Sequence, residues 1–150
     1  MISIRKILCP VDFSACSEHA VGYAVAFAQA YDSDLELIHV VQIIPAGLEP
    51  AAYGQVTKEM EELNASRLHE LAERVKQQHV RVSEYVTVGA PFVEIVQRAR
   101  EKDVDLIVMG THGRSGLSHV LIGSCAERVV RKAHCPVLTV RHPEQGFVMP

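Results

Sequence analysis

The chain has 150 residues, of which 48% are hydrophobic, so we expect a single domain with one sizeable core across residues 1–150. The formal net charge is −3 and no block of Lys and Arg occurs, which argues against nucleic acid as a partner. No apolar run reaches the roughly 18 residues of a membrane span, so we expect no membrane partner. The apolar run at the N-terminus is too short for a signal peptide, so we expect a cytoplasmic location.

The first third of the chain predicts two strands that flank a helix. The run from Ile4 to Pro10 is apolar and predicts the first strand, and Leu35 to Val41 predicts the second. Between them a helix is expected from about Ala15 to Tyr31, with Ser14 as its N-cap. The apolar stripe of this helix is predicted to contain Ala20, Tyr23, Ala24, Phe27 and Ala28.

The middle of the chain predicts a loop and the longest helix. Pro and Gly recur from Gln42 to Gly54, which is therefore expected to be the longest loop. The helix is expected to begin at Thr57, because Glu, Lys and Arg then alternate with apolar residues at helical spacing. Its predicted inner face consists of Leu63, Leu68, Leu71 and Val75.

The remaining elements continue the alternation. Val80 to Val88 has the alternating pattern of an edge strand, and a helix is expected from Pro91 to about Lys102. Val104 to Met109 is short, apolar and rich in branched residues, and Pro136 to Arg141 predicts the last strand, with a short tail after it. Such alternation predicts a parallel α/β sheet with helices on both faces.

The four cysteines form no C-x-x-C pair and no regular framework, so we expect reduced thiols rather than a disulfide scaffold or a structural zinc site. Cys125 falls in the first turn of a predicted helix, where the helix dipole could lower the pKa of its thiol. Packing is the favoured interpretation of this cysteine, because free cysteines are mostly buried.

A glycine-rich segment follows the strand that ends at Met109. It reads Gly110-Thr111-His112-Gly113, and after nine intervening residues Gly123-Ser124 opens a helix with the apolar residues Ala126, Val129, Val130 and Ala133. Gly110 and Gly113 lack a Cβ, so their backbone can take positive φ and approach an anion. The N-terminus of the helix points unpaired N–H groups and a positive dipole at the same anion. The segment therefore predicts a phosphate-binding site.

Side chains in and near this segment leave alternatives open. The Ser124 hydroxyl could cap the helix or donate to the ligand. Arg114 could reach a terminal phosphate or be a solvated loop residue. His112 could contact phosphate or shuttle a proton, although an exposed loop imidazole is the favoured interpretation.

The spacing differs from that of the better-known phosphate-binding motifs, because neither G-x-x-x-x-G-K-[ST] nor G-x-G-x-x-G is present. The segment instead resembles the G-x2-G-x9-G-[S/T] motif of the universal stress protein family, which Gly110, Gly113, Gly123 and Ser124 all match. The beginning ILCPVDFS, the turn Gly89-Ala90-Pro91 and the end HCPVLTVR resemble the same family.

This resemblance implies an open, doubly wound, five-stranded parallel sheet of order 3-2-1-4-5, similar to the adenine nucleotide alpha hydrolases. It also implies that ATP or AMP binds in the crevice between the first and fourth strands, where Asp12 and Gly110 would face each other. The implied nucleotide-binding residues are Pro10, Val11, Asp12, Val40, Val41, Met109, Gly110, His112, Gly113, Arg114, Gly123, Ser124 and Cys125.

Asp12 has two interpretations. Its carboxylate could accept a hydrogen bond from a ribose hydroxyl, as the resemblance implies, or help to hold Mg²⁺ or Mn²⁺ near the phosphates. Alternatively, it complements the dipole of the helix that follows. The ligand role is favoured because the glycine segment is expected to lie opposite.

The function expected from these features is that of a nucleotide-dependent module in a stress response or in signalling. One alternative is a slow ATPase or autophosphorylating enzyme assisted by Asp12 or His112, but no catalytic residue is assigned. A further alternative is a protein-interaction module that binds no nucleotide.

The last strand predicts the oligomeric state. Val137, Leu138 and Val140 would make an apolar sheet edge, and in similar proteins the last strands of two subunits pair. We therefore expect a homodimer, the alternative being a monomer in which the tail from His142 to Pro150 covers the edge.

Overall fold

The computed structural model describes residues 1–42, 47, 49–113 and 122–142. Strands and helices alternate as β1 (Lys6–Pro10), α1 (Ala15–Tyr31), β2 (Asp34–Val41), α2 (Pro50–Lys76), β3 (Val82–Val88), α3 (Pro91–Glu101), β4 (Leu106–Gly110), α4 (Ser124–Lys132) and β5 (Val137–Val140). The strands form one sheet in the order β3-β2-β1-β4-β5, and every neighbouring pair is parallel. This confirms the predicted fold class.

Two hydrophobic clusters cover the two faces of the sheet. Successive residues of a strand point to opposite faces, so Ile7 and Cys9 of β1 pack with α1 and α2, whereas Leu8 packs with α3 and α4. β4 shows the same division, with Val108 in the first cluster and Ile107 in the second. Because the central strands are buried on both faces, their sequences are continuous apolar runs.

The ends of α1 follow from local chemistry. Ser14 is the N-cap, as predicted, and its Oγ accepts a hydrogen bond of 3.2 Å from the backbone N–H of Ser17. At the other end the C-cap residue Asp32 takes a left-handed conformation with φ of 54°, and its N–H donates to the carbonyl of Ala28.

The predicted loop from Gln42 to Gly54 is wrong in its second part, and so is the predicted helix start at Thr57, because α2 begins at Pro50. Proline suits the first position of a helix, since its φ is already helical and its missing N–H would have no partner there. Gly54 lies inside the helix, where a glycine costs about 1 kcal/mol relative to alanine but is tolerated.

Three residues that were predicted to face the core are exposed. Leu63, Tyr23 and Val130 are 62%, 46% and 49% accessible to solvent. The other predicted positions Ala24, Val129 and Leu68 are buried, so the stripes were placed correctly but included one exposed residue each. A helix turns by about 100° per residue, so the neighbour of a buried residue can point away from the sheet. In each case the inner position belongs to the adjacent residue, namely Asn64, Ala24 or Val129.

β3 and β5 form the two edges of the sheet, as predicted. Among the described residues, no helix is both long and apolar enough to cross a membrane.

Candidate functional site

A cavity of about 460 Å³ opens at the carboxyl ends of β1, β2 and β4. Residues of α2 line one side, and residues from the first two turns of α3 and the first turn of α4 line the other. The strand order reverses between β1 and β4, and crevices at such points are where open parallel sheets bind ligands. The fold therefore places a concavity at the position where a ligand is expected.

The structure brings most of the predicted site residues together around this cavity. Those that line it are Pro10, Val11, Asp12, Val40, Val41, Met109, Gly110, His112, Gly113, Ser124 and Cys125. Gly123 lies directly before the lining residue Ser124, and its N–H donates to the carbonyl of Thr111 at 2.6 Å. Arg114 lies outside the described residues.

Close approach explains why glycine occupies the motif positions. A Cβ at Gly113 would lie 2.6 Å from Oδ2 of Asp12, and a Cβ at Gly110 would lie 2.9 Å from Sγ of Cys16. Of the two predicted reasons, positive φ is wrong for both residues, because Gly47 and Gly89 are the only described glycines with positive φ. The unobstructed approach of the backbone to an anion stays a prediction. A side chain at Gly110 would also meet the backbone of Cys16 in α1 at 3.2 Å, whereas a side chain at Gly113 would displace the carboxylate of Asp12.

The N-terminus of α4 faces the same cavity. Gly123 is the N-cap residue and Ser124 is the first helical residue, so the predicted capping role of the Ser124 hydroxyl is wrong. The N–H of Glu127 donates to the carbonyl of Gly123 at 3.0 Å, which is the first bond of the helix. The N–H groups of the three preceding residues, all of which line the cavity, therefore lack acceptors within the helix and favour an anionic ligand.

The loop after β1 orients Asp12. Its Oδ1 accepts a hydrogen bond of 2.9 Å from the N–H of Ser14, and its own N–H donates to Oγ of Ser17 at 3.3 Å. Its Oδ2 approaches the backbone of Gly113. One carboxylate oxygen thus stabilises the start of α1 while the other lies beside the glycine loop, so the two interpretations of Asp12 are compatible.

Phe13, the next residue, has φ of 63°, an uncommon conformation for a bulky side chain. Its ring contacts two side chains, because the Arg67 guanidinium lies 4.0 Å from the ring centroid and the centroid of the His39 ring lies 4.7 Å away. Nδ1 of His39 donates to the carbonyl of Val11 at 2.7 Å. These contacts offset the backbone strain, which costs of order 1–3 kcal/mol, and fix the residue that follows Asp12.

His112 is only 8% accessible, so its interpretation as an exposed loop imidazole is wrong. Nδ1 of His112 and Oγ1 of Thr111 form a hydrogen bond of 3.0 Å, and Thr111 is itself 7% accessible. The N–H of Thr111 donates to the carbonyl of Val140 in β5 at 2.9 Å. The loop after β4 is therefore anchored to the sheet edge before it reaches Gly113.

Burial, and to a smaller extent the negative charge of Asp12, raise the pKa of the Cys125 thiol to about 11, although Arg128 acts in the opposite direction. The predicted lowering of this pKa by the helix dipole is therefore wrong, and the packing interpretation is supported. A protonated thiol presents an apolar, unreactive wall to the cavity.

The described residues contain no group of three His, Cys, Asp or Glu side chains that could hold a metal ion. Asp12 is the one acidic residue among the described residues that line the cavity, and one of its oxygens already accepts a hydrogen bond. The donor set therefore does not fit a metal ion held by the protein alone.

Sequence reasoning missed several residues that line the cavity. Thr111 could have been found by its position inside the glycine motif. Met60 and Asn64 of α2, and Ile95 of α3, come from helices that only the tertiary fold brings to the crevice. Asn64 did carry a detectable sign, because it interrupts an otherwise apolar helical stripe.

Comparison with known proteins agrees with this architecture. A model of the universal stress protein family matches residues 3–141. The chain is 36% identical to universal stress protein MJ0531 of Methanocaldococcus jannaschii, over 94% of this chain and 84% of that protein. It is 32% identical to universal stress protein MJ0577 of the same organism, over 93% of this chain and 96% of that protein.

Solved structures show the same likeness. The structure of MJ0577 matches with a TM-score of 0.88 at 29% identity, covering 95% of this chain and 99% of the other. A universal stress protein in complex with cAMP matches with a TM-score of 0.69 at 26% identity, covering 92% of this chain and 97% of the other. The match along nearly the full chain, the glycine motif and the sheet order agree, and the chain belongs to the universal stress protein family.

Proposed function

We propose that this protein binds an adenine nucleotide, ATP or AMP, in the cavity at the carboxyl ends of β1, β2 and β4, and that occupancy of the site serves a stress response or signalling. The observation that carries the proposal is the approach of Gly113 to Asp12 beside the N-terminus of α4. A relative of the same fold, 26% identical to this chain, has been solved in complex with cAMP, which is an adenine nucleotide.

The two ends of the cavity suit different parts of a nucleotide. The glycine loop and the first turn of α4 offer backbone N–H groups to the phosphates. Val40, Val41 and Met109 offer apolar walls to the base, and Asp12 offers a carboxylate oxygen to a ribose hydroxyl. The volume of about 460 Å³ lies within the usual range of small-molecule sites.

A divalent cation would enter with the nucleotide rather than bind before it. The phosphates would supply most of its ligands, and Asp12 is the protein group of suitable chemistry beside the glycine loop.

We also propose that the protein acts as a homodimer through Val137, Leu138 and Val140 of β5.

The direct test is to denature freshly purified protein and to identify any released nucleotide by chromatography and mass spectrometry. Calorimetric titration of nucleotide-free protein with ATP and Mg²⁺, and with AMP, then measures affinity. Stoichiometric nucleotide or saturable binding is the expected result. If the protein releases no nucleotide and shows no saturable binding, the remaining alternative is an interaction module that binds no nucleotide. Accumulation of ADP from ATP would indicate slow hydrolysis.

Gly113→Val tests the location of the site. The new side chain would meet Oδ2 of Asp12, because a Cβ at this position already lies at 2.6 Å from that oxygen. We expect the affinity for ATP to fall at least about tenfold, a loss of roughly 1.4 kcal/mol or more, while the fold persists. Calorimetry measures the affinity, and circular dichroism monitors the fold.

Gly54→Ala is the matched control, since a Cβ at Gly54 in α2 has no neighbour within 4 Å. This variant should bind as the original protein does and unfold at a slightly higher temperature, because alanine favours the helix. Unchanged affinity in Gly113→Val would show that the nucleotide does not lie on the glycine loop.

A further inference from the structure

Asn64 occupies a position of α2 where the helical pattern predicts an apolar residue. The buried stripe of this helix continues backwards from Val75 through Leu71 and Leu68, and Asn64 is its next member. The side chain is buried, with 5% of its surface accessible. Asparagine inside a helix is unfavourable, and a buried polar group costs free energy unless it finds hydrogen-bond partners. Packing alone therefore gives no reason for asparagine at this position.

The hydrogen bonds of the Asn64 amide fix its orientation. Nδ2 donates to the carbonyl of Met60 at 2.9 Å, so the other end of the amide is the acceptor oxygen Oδ1. Within the described part of the chain, Oδ1 receives no hydrogen bond, and no buried side-chain polar atom there is both sealed from solvent and without a partner. Asn64 is one of the residues that line the cavity, so an Oδ1 that is open to solvent can accept a hydrogen bond from a ligand there.

The position of Asn64 in the fold indicates which part of a nucleotide its amide would meet. α2 packs against β2 and β3, so Asn64 enters the cavity from the side of β2, where Val40 and Val41 lie. The N-terminus of α4, which suits phosphate, follows β4 on the other side of β1. Asn64 therefore lies on the side of the cavity that suits a base.

We propose that Asn64 recognises the base and selects adenine over 6-oxopurines, an inference that rests on the proposed nucleotide site. An asparagine amide presents an acceptor next to a donor, and the edge of adenine presents the exocyclic amino group, a donor, next to a ring nitrogen acceptor. Hypoxanthine and guanine carry an oxygen in place of that amino group. Two acceptors would then meet in a buried place, which is the arrangement that rejects a ligand most strongly.

The experiment compares AMP with IMP, which differ at this amino group, by calorimetry on nucleotide-free protein and on Asn64→Leu. The original protein should bind AMP about tenfold more tightly than IMP, or better, as a good amide–adenine pair implies. Asn64→Leu should lose most of this preference, chiefly through weaker AMP binding. Asn64→Ala provides a second variant should leucine disturb the packing of α2, and thermal unfolding checks both.

Thr57→Ala is the matched control. Thr57 lies on the same helix, and its Oγ1 bonds to the carbonyl of Tyr53 four residues earlier, as Asn64 bonds to that of Met60. Its removal should leave the ratio of AMP to IMP affinity unchanged.

The outcomes separate this inference from the proposed function. If the original protein binds neither AMP nor ATP, the nucleotide site itself is wrong and Asn64 has no base to select; if it binds ATP alone, the same comparison is made with ATP and ITP. If it binds AMP but the Asn64 variants keep the full preference over IMP, the selection by Asn64 is overturned while the nucleotide site stands. A variant that loses preference for AMP over 2′-deoxy-AMP instead would place Asn64 at the ribose and would also overturn the assignment.

Discussion

Two loops meet at the cavity, one after β1 and one after β4. The residue with a strained backbone and the residue whose Cα lies too close to the other loop for an easy side chain are different residues. Gly113 needs to be glycine because Oδ2 of Asp12 occupies the space of a side chain, although its φ is not positive. Phe13 does have positive φ, and contacts with Arg67 and His39 hold it there. The glycine motif thus reports how closely the two loops approach, whereas the strained residue carries no sign in the sequence.

Cys125 gives a prediction about pH. Its thiol pKa is raised to about 11, so at pH 8 the folded protein contains about one hundredth of the thiolate that an ordinary thiol of pKa 9.0 would contain. We expect alkylation by iodoacetamide to be slow at pH 8, to become about tenfold faster with each pH unit, and to level off only above about pH 11. Mass spectrometry of the peptide that contains Cys125 measures this rate.

The same peptide alkylated in urea is the control, because unfolding removes the burial that raises the pKa. Alkylation at pH 8 that is as fast in the folded protein as in urea would contradict the assignment and would restore a reactive role for this cysteine.

One ion pair connects α3 to the central part of the sheet. Arg98 of α3 forms two hydrogen bonds with the carboxylate of Glu36 in β2, at 2.6 and 2.9 Å, and its guanidinium lies 3.7 Å from the ring centroid of Tyr85 in β3. Both charged side chains are mostly buried, at 16% and 17% accessibility. The pKa of Arg98 is raised, mainly by the hydrogen bond to Glu36. α3 also supplies Ile95 to the cavity, so this pair helps to position one of its walls.

Arg98→Met should destabilise the fold by about 2–3 kcal/mol, because the largely buried carboxylate of Glu36 would lose its partner. Urea unfolding measures the free energy of unfolding. Glu127→Gln in α4 is the comparison, since its pair with Arg131 is exposed, and it should change stability by less than about 0.5 kcal/mol. Equal effects of the two substitutions would show that α3 does not depend on this pair.

β5 has a free side in the described sheet, and its backbone pattern shows which residues could pair there. The carbonyls of Pro136 and Val140 accept bonds from β4, from the N–H groups of Ile107 and Thr111. In a strand, alternate residues direct their backbone groups to opposite sides, so Val137 and Thr139 direct theirs away from β4. A second subunit that pairs with β5 would use the backbone of these two residues.

Thr139→Pro tests the proposed homodimer without breaking the sheet. Proline removes an outward N–H but none of the bonds to β4, and edge strands tolerate it. Sedimentation should show a dimer for the original protein at micromolar concentration and a monomer with native circular dichroism for the variant. A monomeric original protein would exclude the proposed dimer, and a variant that stays dimeric would exclude pairing through β5.

Local chemistry made most elements of the fold predictable. Ser14 marks the start of α1, the apolar runs of β1, β2 and β4 mark buried parallel strands, and Pro91 marks the start of α3. Pro50 carries the same information for α2, but the glycines and prolines around it favoured a loop, so the helix was predicted to begin seven residues late. The limits of the buried helix faces were less predictable, because apolar residues such as Tyr23 and Val130 lie next to buried ones and yet are exposed.

The candidate site, like the fold, was predictable from the sequence only in part. The glycine motif and Asp12 are contiguous with strand ends, so the chain order alone places them at one edge of a parallel sheet. Other features depend on how helices distant in sequence pack over that edge. They are the burial of His112, the raised pKa of Cys125, and the presence of Met60 and Asn64 in the lining of the cavity. Short-range patterns determine which segments form strands and helices and which loop can cradle an anion. The shape and the lining of the cavity arise from long-range packing, because side chains more than forty residues apart contact each other only after the helices have docked on the sheet.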